Sequence, residues 1–114
     1  MIDLFLSMNN IPKELWEFSR VEAKLWTFHP IYRDNKIIAF FVTKDNKIHC
    51  ACLPEYKAKW FRMKMFKQLV TNILSKYSCV ETTTFLDTYD FVTRLGFKEV
   101  SRMNNTINYI KTEI

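Results

Sequence analysis

A helical period set between two strand-like runs constrains this chain more than any other feature. Met63, Phe66, Leu69, Val70, Ile73, Leu74 and Tyr77 recur at spacings of three and four residues, which is the apolar stripe of an amphipathic helix. The spacing predicts one long helix over 58–76. The run before it, 47–53 (KIHCACL), and the run after it, 79–85 (CVETTTF), read as strands. Two strands joined through a helix make a crossover, so they are expected as parallel neighbours in one sheet.

The other segments add to that frame. Residues 36–43 (KIIAFFVT) are almost continuously apolar, β-branched or aromatic, as a central strand requires. The polar turn Lys44-Asp45-Asn46-Lys47 joins this run to 47–53 as an antiparallel hairpin, and Pro54 closes the ladder. A further strand is expected at 23–28 (AKLWTF). His29-Pro30 interrupts it, since proline donates nothing to a ladder. Residues 2–8 suit a short helix or turn. Residues 13–20 suit a short helix behind Pro12, with Leu15, Trp16 and Phe18 docking on a core. Asp87 is a candidate N-cap for a short helix at 88–95, with Asp90 three residues on. Gly96 is its natural left-handed stop, with Phe97 making the hydrophobic contact that follows. Residues 98–112 form one strand, or two with a turn near Asn104-Asn105. The expected class is α/β of the α+β type: a central mixed sheet, a long helix after the strand at 47–53, and a short C-terminal helix. One domain is expected over 1–114.

Composition narrows the functions. With 48% hydrophobic residues, 114 residues can bury a real core. Gly96 is the only glycine, which excludes a glycine-rich phosphate loop. The net charge is +5 and the pI about 9.2. That suits a nucleotide, a coenzyme, nucleic acid or an acidic protein, or simply a solvated basic surface. Cys50, Cys52 and Cys79 are an odd count, which argues against a disulfide framework. Cys50 and Cys52 share a strand face and read as buried residues of a reducing compartment. With His49 they lack a second ligand pair, so no metal is expected. No basic leader and no run of about 20 apolar residues is present. The expectation is a protein of the cytoplasm, or one packaged in a particle.

Residues 54–67, PEYKAKWFRMKMFK, carry the chemistry. Lys57, Lys59, Arg62, Lys64 and Lys67 crowd the first half of the expected helix, with no acid after Glu55. A helix N-terminus is partly positive, so cations there cost about 0.3–1 kcal/mol each. The arrangement makes sense if an anion completes it, because first-turn amides with lysine and arginine cradle phosphate. The alternative is a solvated basic face that tolerates the cost.

A strand ending in Leu53-Pro54-Glu55-Tyr56, then a basic loop, then a long helix resembles the acetyl-CoA motif of the GNAT (Gcn5-related N-acetyltransferase) superfamily. In that family a Val-x-Pro-Glu-Tyr-Arg-Gly-x-Gly-x-Gly run leads from the fourth strand into the third helix, and its amides hold the coenzyme pyrophosphate. Phe91-Val92-Thr93-Arg94-Leu95-Gly96-Phe97 resembles the family's Phe-Tyr-x-x-Leu-Gly-Phe. The resemblance covers roughly residues 23–112, with an N-terminal part shortened relative to larger members. It implies an acyl-CoA-dependent N-acyltransferase that uses acetyl-CoA or another acyl-CoA and no metal. The implied coenzyme-binding residues are Cys52, Leu53, Lys57, Ala58, Lys59, Trp60, Phe61 and Arg62.

The chain departs from the family pattern in two places. Trp60 and Arg62 stand where the family has glycines. The indole either blocks the diphosphate or points inward, and Arg62 either meets a phosphate or does not. A tryptophan here also resembles compact phage-encoded members, including ones found in virions. The family's general-acid tyrosine aligns with Val92, which carries no proton. Tyr89 lies three residues earlier on the same helix face and is a substitute or a packing residue. His49 and Glu81 are the candidate bases, against plain strand-face roles for both. Cys50 has no feature that would depress its thiol pKa. The alternative function is a catalytically silent GNAT-like protein, a virion component or a binder of a host protein or nucleic acid. The amine acceptor is not legible.

Overall fold

Ile38, Ala39, Phe40, Phe41 and Val42 are all buried, so the strand that carries them, β2 (Lys36–Lys44), is covered on both faces. The structure is a computed structural model that describes residues 2–9, 15–57, 59–85 and 88–114. Ahead of β2 come α1 (Ile2–Met8), α2 (Trp16–Ala23) and β1 (Thr27–Arg33). After it come β3 (Lys47–Cys52), a single 3₁₀ turn (Pro54–Tyr56), α3 (Met63–Leu74), β4 (Val80–Phe85), α4 (Tyr89–Arg94), β5 (Lys98–Met103) and β6 (Thr106–Lys111). The strands hydrogen-bond in the order β1-β2-β3-β4-β6-β5. The sheet is mixed, because β3 pairs with β4 in parallel, as the crossover requires, while β4–β6 and β5–β6 are antiparallel.

The chain divides into two compact units, Met1–Lys44 with His49–Met63, and Asp45–Ile48 with Lys64–Ile114. In the first, alternation along β2 sends neighbouring phenylalanines to opposite faces. Phe40 meets Phe28 and Phe5 edge-on, at centroid distances of 5.6 and 6.2 Å. Phe41 meets Trp60 and Phe61 at 5.5 and 5.8 Å. In the second unit, Phe66, Leu69, Val70 and Ile73 are the buried stripe of α3, and Phe66 lies 6.2 Å from Phe97. Gly96 has φ +94°, so the left-handed stop falls where expected. A side chain there would strain the backbone and run into the Lys111 ammonium. The Asp45–Asn46 turn is tied to β4 by the Glu81 N–H, which donates to Asn46 O at 2.8 Å next to the Lys47–Glu81 register pair.

Several expectations are corrected. The long helix begins at Met63 rather than 58, because Trp60 and Phe61 turn their rings onto Phe41 and a helical course would carry them off it. The first strand is 27–33 rather than 23–28, and α2 occupies residues up to Ala23. Pro30 does not interrupt β1 but pairs with Phe40. β1 is an edge strand, and proline is tolerated there because no neighbour needs its missing N–H. Asp34 and Asn35, with φ of 53° and 64°, make a two-residue hairpin turn from β1 to β2. Of the two alternatives for the C-terminal run, the structure takes the expected pair of strands, turning at Asn104, φ 54°. Leu15 is exposed rather than docked, and Cys50 is exposed rather than buried. Pro12, Ala58 and the expected cap Asp87 lie outside the described residues, and Thr88 stands at the N-cap of α4.

Candidate functional site

The basic segment after β3 is built by a chain of tight turns. The Leu53 N–H donates to Ile38 O at 2.9 Å, which keeps the strand end registered on β2. Pro54 opens the 3₁₀ turn with its φ preset and no donor to satisfy. The N–H groups of Tyr56, Lys57 and Lys59 then donate to Leu53 O, Pro54 O and Tyr56 O at 3.0, 3.3 and 2.8 Å. Lys57 and Lys59 are exposed, while Leu53 and Phe61 are half-buried. Burial pushes the half-buried Cys52 thiol upward, partly opposed by the nearby Lys57 charge.

Two side chains fix the rest of the loop. Trp60 is only 6% exposed, its indole packed between Phe41 and Phe61. The indole therefore points inward, and its bulk stays off the outer side of the loop. Arg62 folds back. Its Nη1 donates to the carbonyls of Lys59, Trp60 and Phe61 at 3.3, 3.2 and 3.4 Å. In a trans peptide the C=O and the following N–H point in opposite directions. Three carbonyls gathered on one guanidinium thus aim the N–H groups of residues 60–62 to the other side. Among the described residues, the amides of Trp60 and Arg62 donate to no main-chain carbonyl. Main-chain amides turned to one side of a loop can serve an anion. α3 follows with no acid in its first turn.

No family model and no curated protein matches this chain. Solved structures do. The crystal structure of PH1933 from Pyrococcus horikoshii OT3 superposes with a TM-score of 0.75 at 16% identity, over 99% of this chain and 88% of that one. The crystal structure of the ribosomal-protein-S18-alanine N-acetyltransferase from Escherichia coli gives 0.64 at 14% identity, over 82% and 75%. The fold is GNAT-like.

The other candidate residues of this GNAT-like fold fall in both units. In the first, His49 is half-buried, its ring 5.1 Å from that of Trp26. Cys50 is exposed, which limits how far desolvation acts on it, but the direction is upward, with Cys52 adding to it. That is the wrong direction for a nucleophilic thiolate. In the second unit, Glu81 is half-buried on β4 opposite Ile110. Tyr89 is exposed at the first turn of α4, its ring 6.2 Å from Tyr109. Val92 is buried. Among the described residues no group of three or more His, Cys, Asp or Glu is arranged to hold a metal, and no helix is long and apolar enough to cross a membrane.

Tyr109 escapes the sequence reading. It is 1% exposed, and its hydroxyl has no hydrogen-bond partner among the described residues. The signal was the alternation of β6, which buries Ile107 and Tyr109 and exposes Asn108. A tyrosine on a core face carries a hydroxyl that needs a partner. An unpaired buried polar group costs about 1–3 kcal/mol. Tyr109→Phe is therefore expected to raise stability by about 1 kcal/mol in urea denaturation. A loss of stability would mean the hydroxyl is bonded.

Proposed function

We propose that this chain binds an acyl-coenzyme A, most simply acetyl-CoA, and transfers the acyl group to an amine. The observation that carries the reading is the loop before α3: the carbonyls of Lys59, Trp60 and Phe61 are drawn to Arg62, the amides of Trp60 and Arg62 donate to no main-chain carbonyl among the described residues, and Lys57 and Lys59 are exposed. The GNAT-like fold supports it. In this reading the amides of Trp60 and Arg62 and the two lysines hold the diphosphate, and Cys52 and Leu53 hold the pantetheine arm through main-chain groups.

The chemistry is one displacement. The amine nitrogen bonds to the thioester carbonyl carbon, the C–S bond breaks, and the pair leaves on sulfur as a thiolate. His49, in the same unit as the loop, takes the amine proton, and solvent returns one to the sulfur; Glu81 and Tyr89, in the second unit, are assigned no step. A strand amide aimed at the carbonyl oxygen and fixed positioning supply most of the rate, since neither requires a titrating group. The tryptophan in this loop is the ground for proposing the compact phage-encoded type, with the host cytoplasm or a virion as its setting.

Thermal denaturation with acetyl-CoA tests binding. At 100 times its Kd the ligand adds about 2.7 kcal/mol, which is a rise of roughly 10 °C for a chain of this size. No shift at millimolar coenzyme overturns the reading. Release of free thiol with an amine library then separates a transferase from a silent binder.

A further inference from the structure

Arg33 and Lys36 stand directly opposite each other at the neck of the β1–β2 hairpin. Like charges on facing strand positions repel, and hairpins normally avoid the pairing. Here neither cation swings away. The Arg33 guanidinium sits 5.8 Å and the Lys36 ammonium 6.0 Å from the centre of the Tyr56 ring. Cation–π attraction holds both over one face of the molecule. Two cations thus gather around one ring, and Tyr56 is followed in the chain by a third, the exposed Lys57. The nearby acids do not neutralise them. Lys36 reaches Glu55 only at 4.0 Å, with both side chains about 60% exposed, and such a loose surface pair is worth little. Asp34 lies in the turn and is exposed.

We infer that Arg33, Lys36 and Lys57 form a second anion seat, which takes the 3′-phosphate on the ribose of coenzyme A. The inference rests on the proposed coenzyme reading and extends it to a part of the ligand that the 57–62 loop does not serve. A phosphate monoester carries close to two negative charges at neutral pH, which matches two opposed cations better than a single one. Lys57 belongs to both seats, so the second lies one residue away from the diphosphate loop along the chain. In coenzyme A the third phosphate is on the ribose that the diphosphate esterifies, so one ligand can reach both. Holding the cations over Tyr56 in advance reduces the side-chain ordering that binding would otherwise cost.

Calorimetric titration of the full chain with acetyl-CoA and with acetyl-3′-dephospho-CoA tests this. The unmodified chain is expected to bind the dephospho ligand about tenfold more weakly or worse. The double variant Arg33→Gln/Lys36→Gln is expected to lose about tenfold for acetyl-CoA and almost nothing for the dephospho ligand, so that discrimination disappears. Both positions are exposed, and an unchanged melting temperature confirms that the variant folds. Equal affinity of the unmodified chain for the two ligands overturns the second seat and leaves the coenzyme reading standing. So does a double variant that still discriminates. Failure of the unmodified chain to bind either ligand overturns both.

Discussion

Trp60→Ala is expected to cost about 3–5 kcal/mol of stability, the range for truncating a buried large aromatic side chain. Domains of this size are stable by only about 5–15 kcal/mol, so the variant should melt roughly 12–20 °C lower, at about 4 °C per kcal/mol. The reason lies in the first unit. The indole is 6% exposed and lies 5.5 Å from Phe41 and 5.4 Å from Phe61, both by ring centroids. Removing it opens a void against β2 and leaves the loop held by its hydrogen bonds and the Phe61–Phe41 contact. Trp60→Phe keeps a ring in the same place and should cost far less. Denaturant unfolding of the two variants checks the stability, and titration with acetyl-CoA checks the loop. Near-equal stability of Trp60→Ala and the unmodified chain would show that the indole is not the anchor of this loop. On the proposed reading, Trp60→Phe retains coenzyme binding and Trp60→Ala weakens it even at temperatures where it is folded.

The same tryptophan marks the limit of what the sequence made legible. The crossover could be read because the period changes from two to 3.6 and back. The parallel β3–β4 pair follows from that change alone. Gly96 could be read because no other residue tolerates its φ cheaply. The start of α3 could not. Lysine, alanine, arginine and phenylalanine are all acceptable in a helix, and only the tertiary demand of Phe41 for partners takes residues 60 and 61 out of it. The β1–β2 hairpin was hidden for a similar reason. Pro30 breaks an interior strand and not an edge strand, and sequence does not say which strand is the edge. Within the site, the run of cations was visible, but the direction of each was not. A guanidinium that reaches out to a ligand and one that reaches back to three carbonyls have the same one-letter code.

That direction makes Arg62→Glu the sharper test of the loop. The present side chain does two things. Its Nη1 gathers the carbonyls of residues 59, 60 and 61, and its charge raises the local potential for an anion. A glutamate reverses both, since it puts a carboxylate against carbonyl oxygens and beside the proposed diphosphate seat. Arg62 is only half-buried, so the carboxylate can turn to solvent and the unliganded variant should melt within a few degrees of the unmodified chain. Its affinity for acetyl-CoA is expected to fall about 100-fold or more, which is roughly 2.7 kcal/mol. Arg62→Gln separates the two contributions. Its amide can still donate to the carbonyls, so it should keep the loop and lose only the charge, with a loss between the two. If Arg62→Gln binds as poorly as Arg62→Glu, charge outweighs the gathering of the carbonyls. If Arg62→Glu binds acetyl-CoA with unchanged affinity, the diphosphate is not held at this loop.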